Sequence, residues 1–420
     1  MTAWTPDIKI FTLPPNASHT DPRVEVTDWV DYSITASRGT SEYISPPYPA
    51  QTTVSLLFDK NVIPEIELGT WVEIKVFKNS TSTYEVIHSG YVTNRSSSYR
   101  AYGLSGFILE WQFNLTSAIS ILQNTTWYNE AIFTDTTDVC LFNVFSETGR
   151  FIWSNINSNT TWQDYGPTQW QDVDTLRKNT LPQIFIDGEP SSQTLTAGFR
   201  NVWDDMSTLT YGVYGWMYEQ PNGDIEIKFP AADAVPLTSS ITINADMLTP
   251  DLIGGDKYDA LRNYVTLTEF DGIESTYYDD NSIAIYSERS GTLNTYLNST
   301  LEAANTAQII LNGLAYPLLS TEQISVNLLN PIFTDAQRNL FLYDVLGQLV
   351  TIEAPEPMGG TLEYLVIGCQ FDITKDSFIL NINLAPYSQA RNSINWDQIP
   401  YNYTWTSYGV AFPTQEWQDL

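Results

Sequence analysis

The sequence predicts an α+β protein that is mainly antiparallel β. It has two tube-like barrel or sandwich units, an inserted mixed helix and hairpin domain, and an extended C-terminal arm. Three observations predict this. Apolar and polar residues alternate over short runs, most clearly at Phe107, Leu109, Trp111, Phe113 and Leu115. Pro, Gly, Asn and Ser clusters punctuate those runs. A strand pattern of the first third recurs in the last third.

Taken in order, residues 1–20 read as an N-terminal arm, because Thr5-Pro6 and Pro14-Pro15 break regular structure. Residues 21–115 read as the first barrel. Val24 and Val26 open it, and Thr53 to Phe58 is a short apolar strand after the Pro46-Pro47-Tyr48-Pro49 turn. Val72, Ile74 and Val76 alternate with Glu73 and Lys75 as a half-buried strand. Residues 116–255 read as the insertion. Ile119 and Leu122 follow the potential caps Thr116 and Ser117, and Val139 to Phe145 is a second helix stopped by Gly149. Phe199, Trp203, Met206 and Leu209 fit one helical face. Tyr214 to Phe229 fits a hairpin turning at Pro221-Asn222-Gly223-Asp224. Residues 256–390 read as the second barrel, interrupted by a helix with Leu297, Leu301, Ala304, Ala307 and Leu311 on one face. Residues 391–420 are the Trp- and Tyr-rich arm.

The repeat has three parts. Leu68-Gly69-Thr70-Trp71-Val72-Glu73-Ile74 matches Leu346-Gly347-Gln348-Leu349-Val350-Thr351-Ile352. Tyr84-Glu85-Val86-Ile87 matches Tyr364-Leu365-Val366-Ile367, and the alternating strand ending at Leu115 matches Phe378, Leu380, Ile382 and Leu384. Each copy reads strand, turn, strand, turn, strand, the unit of an antiparallel barrel or sandwich.

Composition excludes several functions. The chain has 420 residues, with 49 Asp and Glu against 19 Lys and Arg, for a formal charge of -30. A polyanion repels phosphates, so tight binding of nucleic acid or anionic lipid is not expected. No run approaches the ~20 apolar residues of a membrane span, and MTAWTPDIKIFTLPP lacks the basic-then-apolar pattern of a secretory leader. Cys140 and Cys369 stand far apart, and the histidines are only His19 and His88. That pattern gives no disulfide framework, no cysteine-rich zinc site and little room for histidine chemistry. No phosphate-binding loop, dinucleotide fingerprint or nucleophile elbow is present. No catalytic residue, cofactor or metal is therefore assigned.

The acidic residues Asp204-Asp205, Asp224 and Asp279-Asp280 are the prominent carboxylates. A glycosidase needs two of them facing a sugar from opposite sides. Asp279-Asp280-Asn281 offers hard oxygens but lacks the spacing of a calcium loop. In so acidic a chain the plain reading is solvated surface and strand-ending turns. His88 lies in a strand pattern and reads as a half-exposed β residue. Trp162, Trp170, Trp396, Trp405 and Trp417 sit in polar, extended surroundings. They read as partner-docking residues, with local packing and glycan stacking as the alternatives.

The order Val24-x-Val26, Arg38-Gly39, Thr53-Val54-Ser55-Leu56, Leu68-Gly69-x-x-Val72-x-Ile74-x-Val76 and Ser89-Gly90-Tyr91-Val92-Thr93 resembles the first barrel of phage tail-tip or baseplate hub proteins. Asn263-Tyr264-Val265, Asp280-Asn281-Ser282-Ile283, Ala303-Ala304-x-x-Ala307, Leu346-Gly347 and Leu384-Ala385-Pro386 extend the resemblance to about residues 20–390. It implies a non-enzymatic virion protein at the tail tip, made in the host cytoplasm. It also implies a homotrimer whose six barrels form a pseudo-sixfold ring. Such a ring joins the tail tube or distal tail protein above to fibre or spike proteins below. DNA passes through without tight binding, and no membrane is entered. The alternatives are a carbohydrate-binding adhesin and a glycan-cleaving tail enzyme.

Overall fold

The structure is a computed structural model. It describes residues 4, 6–15, 21–27, 29–41, 46–58, 66–102, 106–147, 156–158, 184–186, 191–229, 241–249, 255–256, 261–316, 319–320, 323–353 and 361–386. Mainly antiparallel strands with a minority of helix make it an α+β fold, as the alternation predicts.

The first repeat contains β1 (Ile8–Leu13), β2 (Val24–Val26), β3 (Trp29–Gly39), β4 (Gln51–Phe58), β5 (Trp71–Lys78), β6 (Thr83–Tyr102) and β7 (Gly106–Thr116). They pair in the order β3-β4-β7-β6-β5-β1-β2. The stretch expected as an N-terminal arm is thus built into the sheet through β1. Its Ile8, Ile10 and Leu13 are buried, and it lies antiparallel to β5 from Ile8 opposite Val76 to Leu13 opposite Trp71.

Between the repeats come α1 (Ala118–Gln123), β8 (Thr126–Asn129), β9 (Phe133–Thr136), α2 (Thr137–Glu147), β10 (Ile156–Ser158), β11 (Ile184–Ile186), β12 (Ser192–Leu195), β13 (Gly198–Asn201), α3 (Val202–Tyr211), β14 (Trp216–Glu219) and β15 (Ile225–Lys228). Phe199 does not join the helical face predicted for it. It lies in β13, one residue from the Gly198 backbone at φ +123, and is 85% exposed. Asn201 caps α3 instead, accepting from the Trp203 and Asp204 amides, so the helix starts three residues later than the apolar spacing indicates.

The second repeat recruits β16 (Ile241–Ile243), upstream of the expected boundary at 256, because β16 runs parallel to β23 with Ile241 opposite Val350. There follow β17 (Gly255–Asp256), β18 (Tyr264–Thr268), β19 (Glu274–Tyr278), α4 (Asp280–Tyr286), β20 (Ser290–Asn294), α5 (Thr300–Leu314), β21 (Leu319–Ser320), β22 (Gln323–Asn327), α6 (Asp335–Tyr343), β23 (Leu349–Glu353), β24 (Thr361–Thr374) and β25 (Ser377–Pro386). Strands β22, β25, β24 and β23 pair in that order, as β4, β7, β6 and β5 do. Leu301 lies off the buried face of α5 and is 72% exposed. That face is Ala303, Thr306, Ala307, Ile310, Leu311 and Leu314, the i, i+3, i+4 stripe of a helix.

Hydrogen bonds fix how the copies correspond. The Gly69 amide donates to Val92 and Val92 donates back to Thr70, at 2.8 and 2.9 Å. Gly347 donates to Val366 and Val366 back to Gln348, both at 2.9 Å. Gly69 and Gly347 have φ of 82° and 77°, the left-handed region that such turns give to glycine. A bulge follows Val92 in one copy and Val366 in the other. Val72 and Val350 are therefore equivalent, and so are Leu115 and Leu384. The middle match is corrected: Val366 answers to Val92, not Val86. β6 begins four residues further ahead of its bulge than β24 does, and alternating strands look alike at any even offset.

One sheet spans both repeats, because β24 pairs with β3 from Gly368 opposite Gly39 to Thr374 opposite Ser33. One apolar core lies beneath it, from Ile10 and Val72 to Val350 and Ile382. A second core joins the insertion to the β18–β20 and α5 region. Val265, Leu297 and Leu311 pack with Cys140, Met206 and Ile227. The two interruptions of the repeats, separate in sequence, thus form one body.

The seam between β3 and β24 is close. Gly39 has φ +82, and a Cβ on it would collide with the Ile367 carbonyl; a Cβ on Gly368 would collide with the Thr40 carbonyl. Gly39→Ala is expected to cost about 2 kcal/mol or more of unfolding free energy, the range for a blocked special backbone position. Urea denaturation within about 0.5 kcal/mol of the parent, the range of neutral surface changes, would contradict the seam.

Candidate functional site: a polar sheet face and its open edge

Strands expose alternate side chains, so the face of the joined sheet opposite the core can be read from its registers. From β22 to β6 it carries Ser325 and Gln323, Asn381 and Asn383, Gln370 and Asp372, Ser33, Thr35 and Ser37, Gln51, Thr53 and Ser55, Gln112 and Asn114, and Ser96 and Ser98. Asp31 and Glu110 add charge, and half-buried Leu57 and Ile379 are apolar interruptions. Among the described side chains this face has carboxylates but no Lys or Arg.

These groups hold one another. Thr35 donates to Asp372 at 3.0 Å, and Gln370 and Asn381 reach the same carboxylate at 3.1 and 3.2 Å. Ser55 and Ser98 donate to Glu110 at 3.1 and 3.2 Å. Ser325 bonds Asn381 at 2.5 Å and Gln323 bonds Asn383 at 3.1 Å. The face is wettable and its carboxylates are internally bonded, and its described side chains include no cation that would grip a phosphate.

The face ends on an open edge. In β24, residues before the bulge pair with β23 and residues after it pair with β3. In β6, residues before the bulge pair with β5, but along Asn94–Tyr102 no described strand occupies the place that β3 takes on β24. Thr93 to Ser98 are exposed, whereas Cys369, Phe371 and Ile373 on β24 are buried. An unpaired row of backbone donors and acceptors is a template for another strand.

The β14–β15 hairpin wedges behind the seam. Its Trp216 and Tyr218 sit against Gly347, its Gly223 against Trp71, and Ser89 donates to the Pro221 carbonyl at 2.9 Å. The hairpin therefore touches corresponding turns of both repeats. Glu219 is carried into the interior near Arg38, and burial pushes its carboxyl up to about 8, against the pull of Ser117 and Arg38. His88 is 1% exposed, not half-exposed as expected; it sits on the core side of β6 opposite Ile74. Burial, with the Arg38 charge, pushes it down to about 3. A cleft of about 750 Å³ opens beside the hairpin, walled by Tyr84, Phe185 and Tyr343, with Asp224, Glu226 and Asp344. Glu226 is already paired with Lys228 at 3.0 Å.

Three of the carboxylates singled out by sequence, Asp205, Asp224 and Asp279, have structural work. Asp205 is buried, accepts from Trp127 at 2.7 Å and pairs with Arg200, and Tyr296 donates to it at 3.0 Å. Burial, reinforced by that carboxylate, pushes the Tyr296 phenol up to about 12. Asp224 closes the hairpin turn with Asn222. Asp279 caps α4 by accepting from Ser282 at 2.9 Å. Cys140 and Cys369 are both buried as free thiols. Trp162, Trp170, Trp396, Trp405 and Trp417 lie outside the described residues. The polar face itself was missed, because each strand gives it only two or three residues. The available signal was that the polar half of the alternations in β3, β4 and β25 is mostly Ser, Thr, Asn or Gln and not Lys.

No protein-family model matches the chain, and no curated protein sequence does. Solved structures do. The 43 kDa tail protein of prophage MuSo2 from Shewanella oneidensis is 13% identical, with a TM-score of 0.57, covering 91% of this chain and 100% of that one. The tail protein from Neisseria meningitidis MC58 is 11% identical, with a TM-score of 0.55, covering 90% and 96%. The chain has the fold of these phage tail proteins over nearly its whole length.

Glu219 and His88 set opposite limbs of a stability curve. Between pH 4.5 and about 8 the unfolded chain releases the Glu219 proton while the folded chain keeps it, so stability falls as pH rises. Between pH 6.5 and about 3 the unfolded chain binds a proton at His88 that the folded chain does not, so stability falls as pH drops. Glu219→Gln is expected to flatten the first limb in urea titrations at pH 5.5 and 8. An unchanged slope would show that the carboxyl is ionised in the fold.

Proposed function

We propose that this chain is the structural hub of a phage tail tip or baseplate, a non-enzymatic virion protein. Three copies close into a ring of six repeats that joins the tail tube or distal tail protein to fibre or spike proteins. The single observation that carries the reading is the sheet that crosses both repeats, whose outer face from β22 to β6 has no Lys or Arg among the described side chains and whose β6 edge meets no described strand. Within the chain, one repeat is joined to the next by a strand laid along β24. No described strand takes the equivalent place on β6, so a second copy can repeat the joint. Closed rotational symmetry then uses up every edge, which an open chain of copies does not. Two repeats in each of three copies match a sixfold tube.

The outer face supports the channel role. DNA sliding past the described side chains of such a wall meets hydroxyls, amides and scattered carboxylates, which form no counterion-releasing contact. The five tryptophans Trp162, Trp170, Trp396, Trp405 and Trp417 are proposed to dock neighbouring tail proteins, since indoles anchor interfaces well.

Two tests follow. In an antiparallel strand successive amides point to opposite edges, so one of Ser96 and Ser97 points away from β7. Proline placed there removes a donor from the open edge alone. Of Ser96→Pro and Ser97→Pro, one is expected to leave a folded monomer in sedimentation experiments where the parent is a trimer. A parent that stays monomeric at micromolar concentration, or trimers in both variants, would contradict the joint. Thr53→Lys with Gln112→Lys is expected to slow DNA release from assembled particles in a salt-dependent way. Unaltered release at low salt would place this face away from the DNA.

A further inference from the structure

We infer that the outer face of the β18–β20 sheet binds a neutral glycan. The sheet has the order β19-β18-β20. Its inner residues Val265 and Leu267 are buried in the second core, with α5 packed behind. Its outer face is Tyr264, Thr266 and Thr268 on the central strand. They are flanked by Tyr278, Thr276 and Glu274 on one side and by Ser290, Thr292 and Asn294 on the other.

Three features separate this face from the polar wall described above. First, its hydroxyls are unclaimed. On the wall, Thr35, Ser55, Ser98 and Ser325 are bonded to neighbouring side chains, although Ser33, Thr53 and Ser96 are not. On this face the side chains of Thr266, Thr276 and Thr292 bond to no described residue, although they stand directly opposite one another in register. Solvent is left to satisfy them, and a polyol can replace that solvent at little cost. Second, an aromatic platform stands at one end. Tyr264 and Tyr278 lie nearly parallel, 13° apart with centroids 6.1 Å apart, and Tyr278 is 56% exposed. A tyrosine presents an apolar ring and a polar tip, which suits the C–H face and hydroxyl rim of a sugar. Third, charge selects the occupant. Nine outward positions carry one charge, Glu274, in a chain whose net charge is -30. An acidic partner is repelled by the net charge and a basic one finds a single carboxylate on this face, whereas an uncharged polyhydroxy chain meets no Coulomb penalty.

The geometry also suits an extended ligand. Neighbouring strands are about 4.8 Å apart and alternate residues about 6.8 Å apart along a strand. Hydroxyls thus recur on a flat lattice at the scale of successive sugar rings, with the tyrosines fixing one end. This site is separate from the β6 edge, so it stands or fails independently of ring assembly.

The full chain would be screened on an array of neutral oligosaccharides that includes N-acetylglucosamine hexamer and neutral glucans, with polygalacturonate as the charged control. The strongest hit would then be titrated by calorimetry. The expected result is binding of a neutral oligosaccharide, weakened at least tenfold by Tyr278→Ala and abolished by Thr292→Lys. Both variants should keep the thermal unfolding midpoint of the parent, since both side chains are outward. If either unfolds, the other alone decides. Absence of binding to every neutral oligosaccharide at millimolar concentration would overturn the inference. So would binding that survives a folded Tyr278→Ala or Thr292→Lys, or equal binding of polygalacturonate.

Discussion

The architecture depends on one close approach, the antiparallel joint between β3 and β24 at Gly39 and Gly368. Both positions need the absence of a side chain, because each Cβ would occupy the space of a carbonyl on the facing segment. Without that joint the two repeats would be separate sheets, each with an unpaired edge. With it, they share a core and present one outer face. The bulges after Val92 and Val366 let a single long strand leave one neighbour and meet another.

The insertion braces this joint. The hairpin of β14 and β15 rests against Gly347 in one repeat and Trp71 in the other, and it carries Glu219 inward toward Arg38. Buried polar groups of this kind cost stability unless they are neutralised or paired. A protonated Glu219 and a neutral His88 meet that requirement. Evenly matched hydrogen bonds on the outer face do the same for Asp372 and Glu110. The chain's large negative charge is thereby kept off its buried seams and spread over its surface.

Much of this was legible in sequence, and the misses have physical reasons. The Leu68-Gly69 and Leu346-Gly347 turns were readable because both glycines have positive φ, which few other residues adopt. The alternation ending at Leu115 and Leu384 was readable because one side of each strand is core. The middle strands were misaligned by six residues, since alternation repeats every two residues and gives no absolute register. Phe199 and Leu301 were assigned to buried helix faces by spacing alone. A capping asparagine and a neighbouring stripe of small residues decided otherwise. Burial of His88 was illegible because a register shift between Val86 and His88 turns it to the core side of β6 opposite Ile74. The polar wall and the β18–β20 face were hidden for the same reason: both exist only across strands.

The central claim is that the joint inside the chain is repeated between chains. Electron microscopy of the purified full-length protein at micromolar concentration tests it directly. The account predicts a closed threefold ring of six similar lobes, with β6 of each copy laid against the second repeat of the next and the Thr53 and Gln112 face turned to the lumen. A ring of another symmetry, or a β6 edge left in solvent in the closed particle, would contradict it.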